Sequence, residues 1–575
     1  MLVFYDFEVF QYDWLVVFIE PYEEKTTVII NDTNKLMDFY SSHIDCIFIG
    51  YNSRHYDQYI FKGILCGFDP KIINDFIITY KLAGWQFSDV FNKIRLYNYD
   101  VAKLNDGGLK TLESYLSNDI QETSVDFDLD RPLTAAEIEE TVKYCIHDVE
   151  QTIQVFLQRK NDFDAHMALI TTFNLPLSDI SKTQIRLVAK ILNCQRTERN
   201  DEFDVEFVPT LRLTKYKSVL TWFEQQLEHG KRMGEYLTDH LKIDVAGVPH
   251  VFGWGGVHGA KTRYHSSGLI IHVDVTSYYP SLMIKYGFLT RNSQTPEKFK
   301  EIYDTRVALK KAGKKAEQAP YKICLNGTYG ASKDRTSTAY DPRQANNICI
   351  NGQLLLLDLI EKLEAVRGFE LIQSNTDGLI IKIPEESFFD VDDICYEWET
   401  RTGMKLGFDI ISEIWQKDVN NYVFKFKNGK IERKGSYVQE STPLKNDLTI
   451  VNTAVVEYMT HGTPIEQTII TCDDLNLFQT VVKVSNKYLC AWHNGQRLHG
   501  KTFRVFATTD TRNGMIYKQK REGASLEKFA NTPDHCVIYN GAISEETRIF
   551  LDKKYYIDLA KKRLIDYGVI ENGNL

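Results

Sequence analysis

The chain of 575 residues has no apolar run near the roughly 18 residues of a membrane span, so no membrane partner is expected. Fourteen prolines and 33 glycines are too few for a collagen-like or low-complexity chain, and no internal repeat stands out. The ten cysteines are scattered. The closest two, Cys472 and Cys490, lie 18 positions apart, so there is no CxxC pair for zinc or an iron–sulfur cluster. Such thiols are expected to be reduced and half-buried. No basic region precedes Leu2-Val3-Phe4, so no signal peptide and a cytoplasmic location are expected.

What is present is unevenly charged. The whole chain carries 68 Lys+Arg against 78 Asp+Glu, yet residues 1–150 alone carry −14 and residues 151–575 carry +4. A protein that merely coats nucleic acid would not place its acid this way. An enzyme that gathers carboxylates where cations bind would.

Residues 2–10, 14–20 and 26–30 read as strands, 44–51 as an apolar run ending at a polar cluster, and 56–65 as a helix. Helical spacing over 134–160, with Thr134 as N-cap and Glu137 three residues on, predicts a capped helix. Together these suggest an α/β domain of about 160 residues. Residues 165–245 read as helical and polar, and the glycine-rich stretch 251–259 as a boundary. A strand is expected at 269–275. A helix should start at Thr295-Pro296 and run to about Lys315, with Ala319-Pro320 separating it from a second helix. Residues 369–372 and 379–383, flanking Gln373-Ser374-Asn375-Thr376-Asp377-Gly378, read as a hairpin.

Asp6 and Glu8, two apart on a strand, project from one face. Alone, such a pair is more often a solvated edge. Asp57 follows the turn Asn52-Ser53-Arg54-His55-Tyr56, and Asp148 shares a helix face with Tyr144. His147 beside it reads equally as structural. Four carboxylates brought together repel unless divalent cations join them, and two cations about 3.5–4 Å apart also activate water for phosphodiester hydrolysis. The order Asp-x-Glu, Asn-x3-Tyr-Asp, Tyr-x3-Asp resembles the three motifs of the 3′–5′ proofreading exonucleases of DNA polymerases. The resemblance implies that Asp6, Glu8, Asp57 and Asp148 bind metal, that Tyr144 orients water and that Asn52 contacts substrate. Lys110 reads either as a phosphate-facing lysine, as in related enzymes, or as a solvated one.

A second set follows. Asp274-Val275-Thr276-Ser277-Tyr278-Tyr279-Pro280-Ser281 resembles motif A of family B DNA polymerases, with Tyr278 in place of a leucine. Lys322, Asn326 and Tyr329 share a helix face by their i, i+4, i+7 spacing. Within Lys322-Ile323-Cys324-Leu325-Asn326-Gly327-Thr328-Tyr329-Gly330 they resemble motif B. The hairpin resembles motif C, with Gln373 for a tyrosine, Asn375 for the first aspartate and Gly378 for a serine. This family resemblance implies that Asp274 and Asp377 hold two Mg²⁺ (Mn²⁺ as a possible substitute) and that Tyr279 excludes a ribose 2′-hydroxyl. It also implies that Arg306, Lys310 and Lys322 face the triphosphate of a dNTP, with Asn326 and Tyr329 beside them. Lys311, Lys314 and Lys315 read as a solvated face. Arg433-Lys434-Gly435-Ser436-Tyr437 resembles, with one extra residue, a motif that supports the primer end, giving Lys434 and Tyr437. Trp254-Gly255-Gly256 sits where the family has YxGG.

The implied fold is α/β and α+β multidomain: an RNase H-like exonuclease domain followed by a right-hand polymerase. Residues 1–165 would be the exonuclease and 166–250 a helical connection. Residues 251–295 and 346–440 would form the palm, 296–345 the fingers and 441–575 the thumb and C-terminal region. The length resembles bacteriophage replicative polymerases. Asp274 to Lys322 spans 48 positions and Asn326 to Asp377 spans 51, which leaves no room for protein-priming insertions. The expected partners are primer-template and single-stranded DNA, dNTPs and phage replication proteins. A nuclease with a degenerate polymerase half, motivated by Asn375, and a non-catalytic DNA-binding protein are the alternatives.

Overall fold

The computed structural model describes residues 1–228 and 239–571. The chain divides into two compact units, of which the first comprises Met1–Lys182, Ser441–Ile450 and Cys472–Tyr556. Its sheet has the order β3-β2-β1-β4-β5, from β1 (Leu2–Val9), β2 (Trp14–Glu20), β3 (Lys25–Ile30), β4 (Ile47–Gly50) and β5 (Tyr97–Asp100). The three meander strands are antiparallel, whereas β4 and β5 run parallel to β1. Alternation along β1 sends Val3, Tyr5, Phe7 and Val9 into a core with Phe18, Phe48 and Phe61. Phe4, Asp6 and Glu8 therefore take the opposite face. There Phe4 meets Phe156 edge-on at 5.2 Å, on the helix Ala135–Gln158. That helix opens with the expected capping box: Thr134 accepts from the Glu137 N–H at 3.3 Å, and Glu137 accepts from the Thr134 N–H at 2.8 Å.

The second unit comprises Thr183–Glu440, Val451–Thr471 and Ile557–Leu575. Its nine-stranded sheet has the order β14-β13-β12-β9-β11-β10-β8-β7-β6. The strands are β6 (Leu241–Val245), β7 (Val248–Phe252), β8 (His258–Ala260), β9 (Tyr264–Val275), β10 (Glu370–Asn375), β11 (Gly378–Lys382), β12 (Leu406–Asp418), β13 (Asn421–Phe426) and β14 (Ile431–Lys434). The expected strand at 269–275 is the end of the longer β9. The hairpin is present, and its strands run to Asn375 and from Gly378, leaving Thr376-Asp377 as the tip.

Three readings are corrected. Ala319-Pro320 does not separate two helices: Pro320 lies inside Lys315–Lys333, while the preceding helix, Pro296–Lys311, ends at Gly313 with φ +72°. A left-handed glycine ends a helix at little steric cost, whereas Pro320, the sixth residue of its helix, forfeits only the single backbone bond that its missing N–H would make. Residues 165–245 are not continuously helical. Between Gln184–Ile191 and Lys217–Glu228 the chain is irregular, and several of its N–H groups bond to side chains of another helix instead. Glu206, Val208 and Arg212 donate to Asn347, Asn351 and Asp358 at 2.8, 2.9 and 2.9 Å, which explains three of the buried polar groups on the largely apolar helix Pro342–Leu363. The part of that reading on residues 229–238 lies outside the described residues. Finally, all ten cysteines are free, but seven are buried rather than half-buried.

Residues 472–556, grouped by position with a thumb, fold within the first unit. Among the described residues no helix is long and apolar enough to cross a membrane.

Candidate active sites

In the first unit, β1 presents Asp6 and Glu8 toward the helix Ala135–Gln158. Asp57 opens the helix Asp57–Leu65 and its Oδ1 accepts from the Phe7 N–H at 3.1 Å, which docks it against β1 beside Asp6. Asp148 comes from the long helix. Cys145, one turn earlier, donates from Sγ to the Asp6 carbonyl at 3.5 Å. Ligand atoms of Asp6, Glu8 and Cys145 lie within 4.8 Å of one another. Burial, and then the neighbouring carboxylates, push Asp6 and Glu8 well above the usual carboxylate range. Burial raises Asp57 to about 7 and Asp148 to about 6, in the second case against the pull of Lys110. These are hard oxygen donors that repel one another, and such a set suits Mg²⁺ or Mn²⁺.

Lys110 is not solvated. Its side chain is 15% exposed, is paired with Asp148 and with Glu113 at 3.1 Å, and stands 4.7 Å from the centre of the Tyr144 ring. Burial opposes its charge, but the two carboxylates outweigh that and raise its pKa. Tyr144 is held neutral by burial and then by Asp148. Glu113, wholly buried, also approaches His147 at 3.7 Å. Asn52 sits in a left-handed turn with φ +59°, its N–H donating to Asp100 at 2.9 Å. Glu113, Asp100 and Cys145 were not singled out from sequence. Glu113 falls three residues after Lys110, a spacing that could have flagged it.

In the second unit, Asp274 near the end of β9 lies between Gly378 of β11 and Gly407 of β12. The Asp377 carbonyl accepts from the Val275 N–H at 2.8 Å, so the hairpin tip is tied to the strand end. Burial and then Asp377 raise Asp274 to about 6, while His272 and Lys310 oppose the rise. Local packing accounts for two glycines and for Asn375 at this site. A Cβ at Gly378 would stand 2.8 Å from the Val273 carbonyl oxygen, and one at Gly256 would stand 2.2 Å from Thr376 Oγ1. Asn375 Oδ1 accepts from the Thr376 N–H at 2.9 Å, shaping the turn, and its side chain bonds His258.

Arg306 donates to Ser277 Oγ at 2.6 Å, just after Asp274, where Ser277 has φ +52°. Tyr279 and Tyr329 are adjacent, with ring centres 4.6 Å apart. Lys310, Lys322 and Asn326 are exposed. Lys434 stands 5.8 Å from the Tyr422 ring, and Tyr422 feels the charge of Asp377. Tyr437 instead lies between Lys417 and Arg563, at 4.5 and 4.7 Å. Asp409, paired across strands with His272 on the Asp274 face, and Tyr422 were missed from sequence because β12 and β13 were not read as strands, whereas His272 lies on the expected strand two residues before Asp274.

No family model matches the chain. A curated relative, a DNA gyrase subunit of Metamycoplasma arthritidis (strain 158L3-1), is 28% identical over 215 residues, 36% of this chain and 22% of that protein. The chain thus spans about a fifth of that relative's length. A solved structure of the family B DNA polymerase from the hyperthermophilic archaeon Pyrobaculum calidifontis aligns with TM-score 0.42 and 14% identity, covering 99% of this chain and 78% of that one.

Proposed function

We propose that the protein is a template-directed DNA polymerase with 3′–5′ exonuclease activity, adding dNTPs to an ordinary nucleic-acid primer, in bacteriophage replication in the host cytoplasm. The observation that carries this reading is the tie between the Asp377 hairpin tip and the end of the Asp274 strand, with Arg306 anchored two residues beyond Val275. A sheet that places two carboxylates beside cationic groups from a helix pair suits phosphoryl transfer, which depends on positioning and charge compensation.

Asp274 and Asp377 would hold one pair of divalent cations, and Asp6, Glu8, Asp57 and Asp148 another. Such cations activate a hydroxyl or water and neutralise charge on the phosphate being transferred. Arg306, Lys310 and Lys322 offset triphosphate charge, Tyr279 packs where a sugar would lie, Asn326 and Tyr329 line the nucleotide side, and Lys434 and Tyr437 support the primer. In the first unit Tyr144 orients water, Asn52 binds the strand end and Lys110 compensates the carboxylates. In this reading residues 1–165 are exonuclease, 166–250 connection, 251–295 and 346–440 palm, 296–345 fingers, and the region after 440 thumb and C-terminal part.

Asn375 supports an active polymerase rather than a degenerate one, because it serves the turn and leaves Asp274 and Asp377 adjacent. The test is a 5′-labelled primer on a longer template with Mg²⁺, with and without the four dNTPs. The expected result is extension with dNTPs and shortening without them. Shortening in both lanes, with Mn²⁺ as well, would sink the polymerase half of the reading and leave a nuclease. No reaction in either lane, with DNA still bound, would leave a binding protein.

A further inference from the structure

The cavity beside Asp6 and Asp148 has lining that the carboxylate motifs leave unexplained. Its volume is about 870 Å³, within the roughly 300–1,000 Å³ of ligand pockets. Asn52, Arg54 and His55 line it from the turn before Asp57. Lys483, Ser485 and Asn486 line it from a segment far along the chain but within the same compact unit.

That late segment is held firmly. Thr480–Lys483 pairs with Thr502–Ala507. Arg504 of the latter strand, wholly buried, donates to the carbonyls of Asn118 and Gly541 at 2.8 Å each. The Ile120 N–H donates to the Asn540 carbonyl at 2.8 Å, and the Lys501 N–H to Glu122 at 3.2 Å.

Lys483 Nζ donates to the Gly107 carbonyl, and at Gly108, where φ is +105°, an added Cβ would stand 2.9 Å from it. Among the described residues Lys483 forms no ion pair. Neither does Arg54, whose Nε is buried without a hydrogen-bond partner. By contrast Lys103, also on the lining, is paired with Asp162 at 2.5 Å. Two cations that form no ion pair, though Arg54 feels the charge of Asp100 and Lys483 that of Glu122, thus share a cavity with Asp100 and with two acidic groups of the proposed exonuclease.

We propose that Arg54 and Lys483 bind the phosphodiester backbone of a single-stranded nucleic-acid 3′ end, presenting its last phosphodiester to the carboxylates. This rests on the exonuclease reading above. A strand approaching four carboxylates needs cations along its path, and contacts to phosphate position it without reading its bases. Ser485 and Asn486 add neutral donors on the same wall.

The test uses the full chain, Mg²⁺, no dNTPs and a 5′-labelled single-stranded oligonucleotide, across a salt series. For Lys483→Ala, KM should rise about five- to tenfold with kcat within about twofold. The slope of log(kcat/KM) against log[salt] should become shallower by about 0.7, the value of one lost contact to a single strand. Lys483→Arg should restore both, and Asn486→Asp should raise KM through added negative charge. An unchanged KM and slope in Lys483→Ala, or a fall in kcat alone, overturns the proposal. Should Lys483→Ala not fold, an unchanged KM in Asn486→Asp overturns it. If the wild-type chain leaves the oligonucleotide intact, the exonuclease reading itself has failed. If wild type shortens it and the variants match wild type, this assignment alone has failed.

Discussion

The two carboxylate sites solve the same electrostatic problem differently. In the first unit the acids are gathered on one sheet face under a long helix, and the chain supplies its own counter-charge in Lys110, itself shielded to 15% exposure. In the second, Asp274 and Asp377 sit at a strand end and a hairpin tip, and the nearby helix pair carries Lys310 and Lys322 in solvent. A self-compensated site can be stable while empty of substrate. A site whose cations stay solvated is suited to receive an anion that brings its own charge, as a triphosphate does.

The largest expected effect separates the sites outright. Asp377→Ala should lower primer extension by about 10³-fold or more while sparing exonuclease, and Asp6→Ala should do the reverse. Loss of both activities from either change, with circular dichroism unaltered, would falsify the two-site assignment. Next comes the internal counter-charge. Lys110→Met leaves Glu113 and Asp148 buried without it and should cost about 3 kcal/mol in chemical denaturation, the low end for a broken buried pair. Lys322→Met, at an exposed position, should cost less than about 0.5 kcal/mol while slowing extension.

A smaller effect probes the second site's packing. Gly378→Ser introduces the serine of the motif that the hairpin resembles, yet its Cβ would press on the Val273 carbonyl at 2.8 Å. We expect a loss of about 1–3 kcal/mol and weaker, not stronger, extension. Equal or better extension by this variant would show that the strand accommodates the side chain.

The last effect concerns pH. Asp57 and Asp148 titrate near 7 and 6 in the folded state, above their unfolded range near 4. Their contribution to stability is therefore fully present below about pH 4 and lost as pH rises through 6 to 7. In EDTA the melting temperature should fall over that interval, and Mg²⁺ should reverse the fall at pH 8. A melting temperature that rises with pH in EDTA would contradict the burial of these acids.

Much of this was legible in the sequence because it depends on local periodicity. The two-residue repeat of β1 separates Asp6 and Glu8 from Val3, Tyr5 and Phe7. The Thr134–Glu137 box marks a helix start, and four-residue spacing puts Tyr144 and Asp148 on one face. What local pattern could not supply was anything that depends on distant chain meeting. The ion pairs of Lys110, the docking of Asp57 on the Phe7 N–H and the need for glycine at 378 are all set by neighbours from other elements. So is the bond from Val208 to Asn351, made within a seemingly helical stretch that is irregular. The sequence by itself determined which residue types and faces were available for cation and phosphate chemistry. The tertiary structure decided which of them are desolvated and paired, and that Lys483 shares a cavity with Asp6, because burial and charge compensation are properties of packing rather than of spacing.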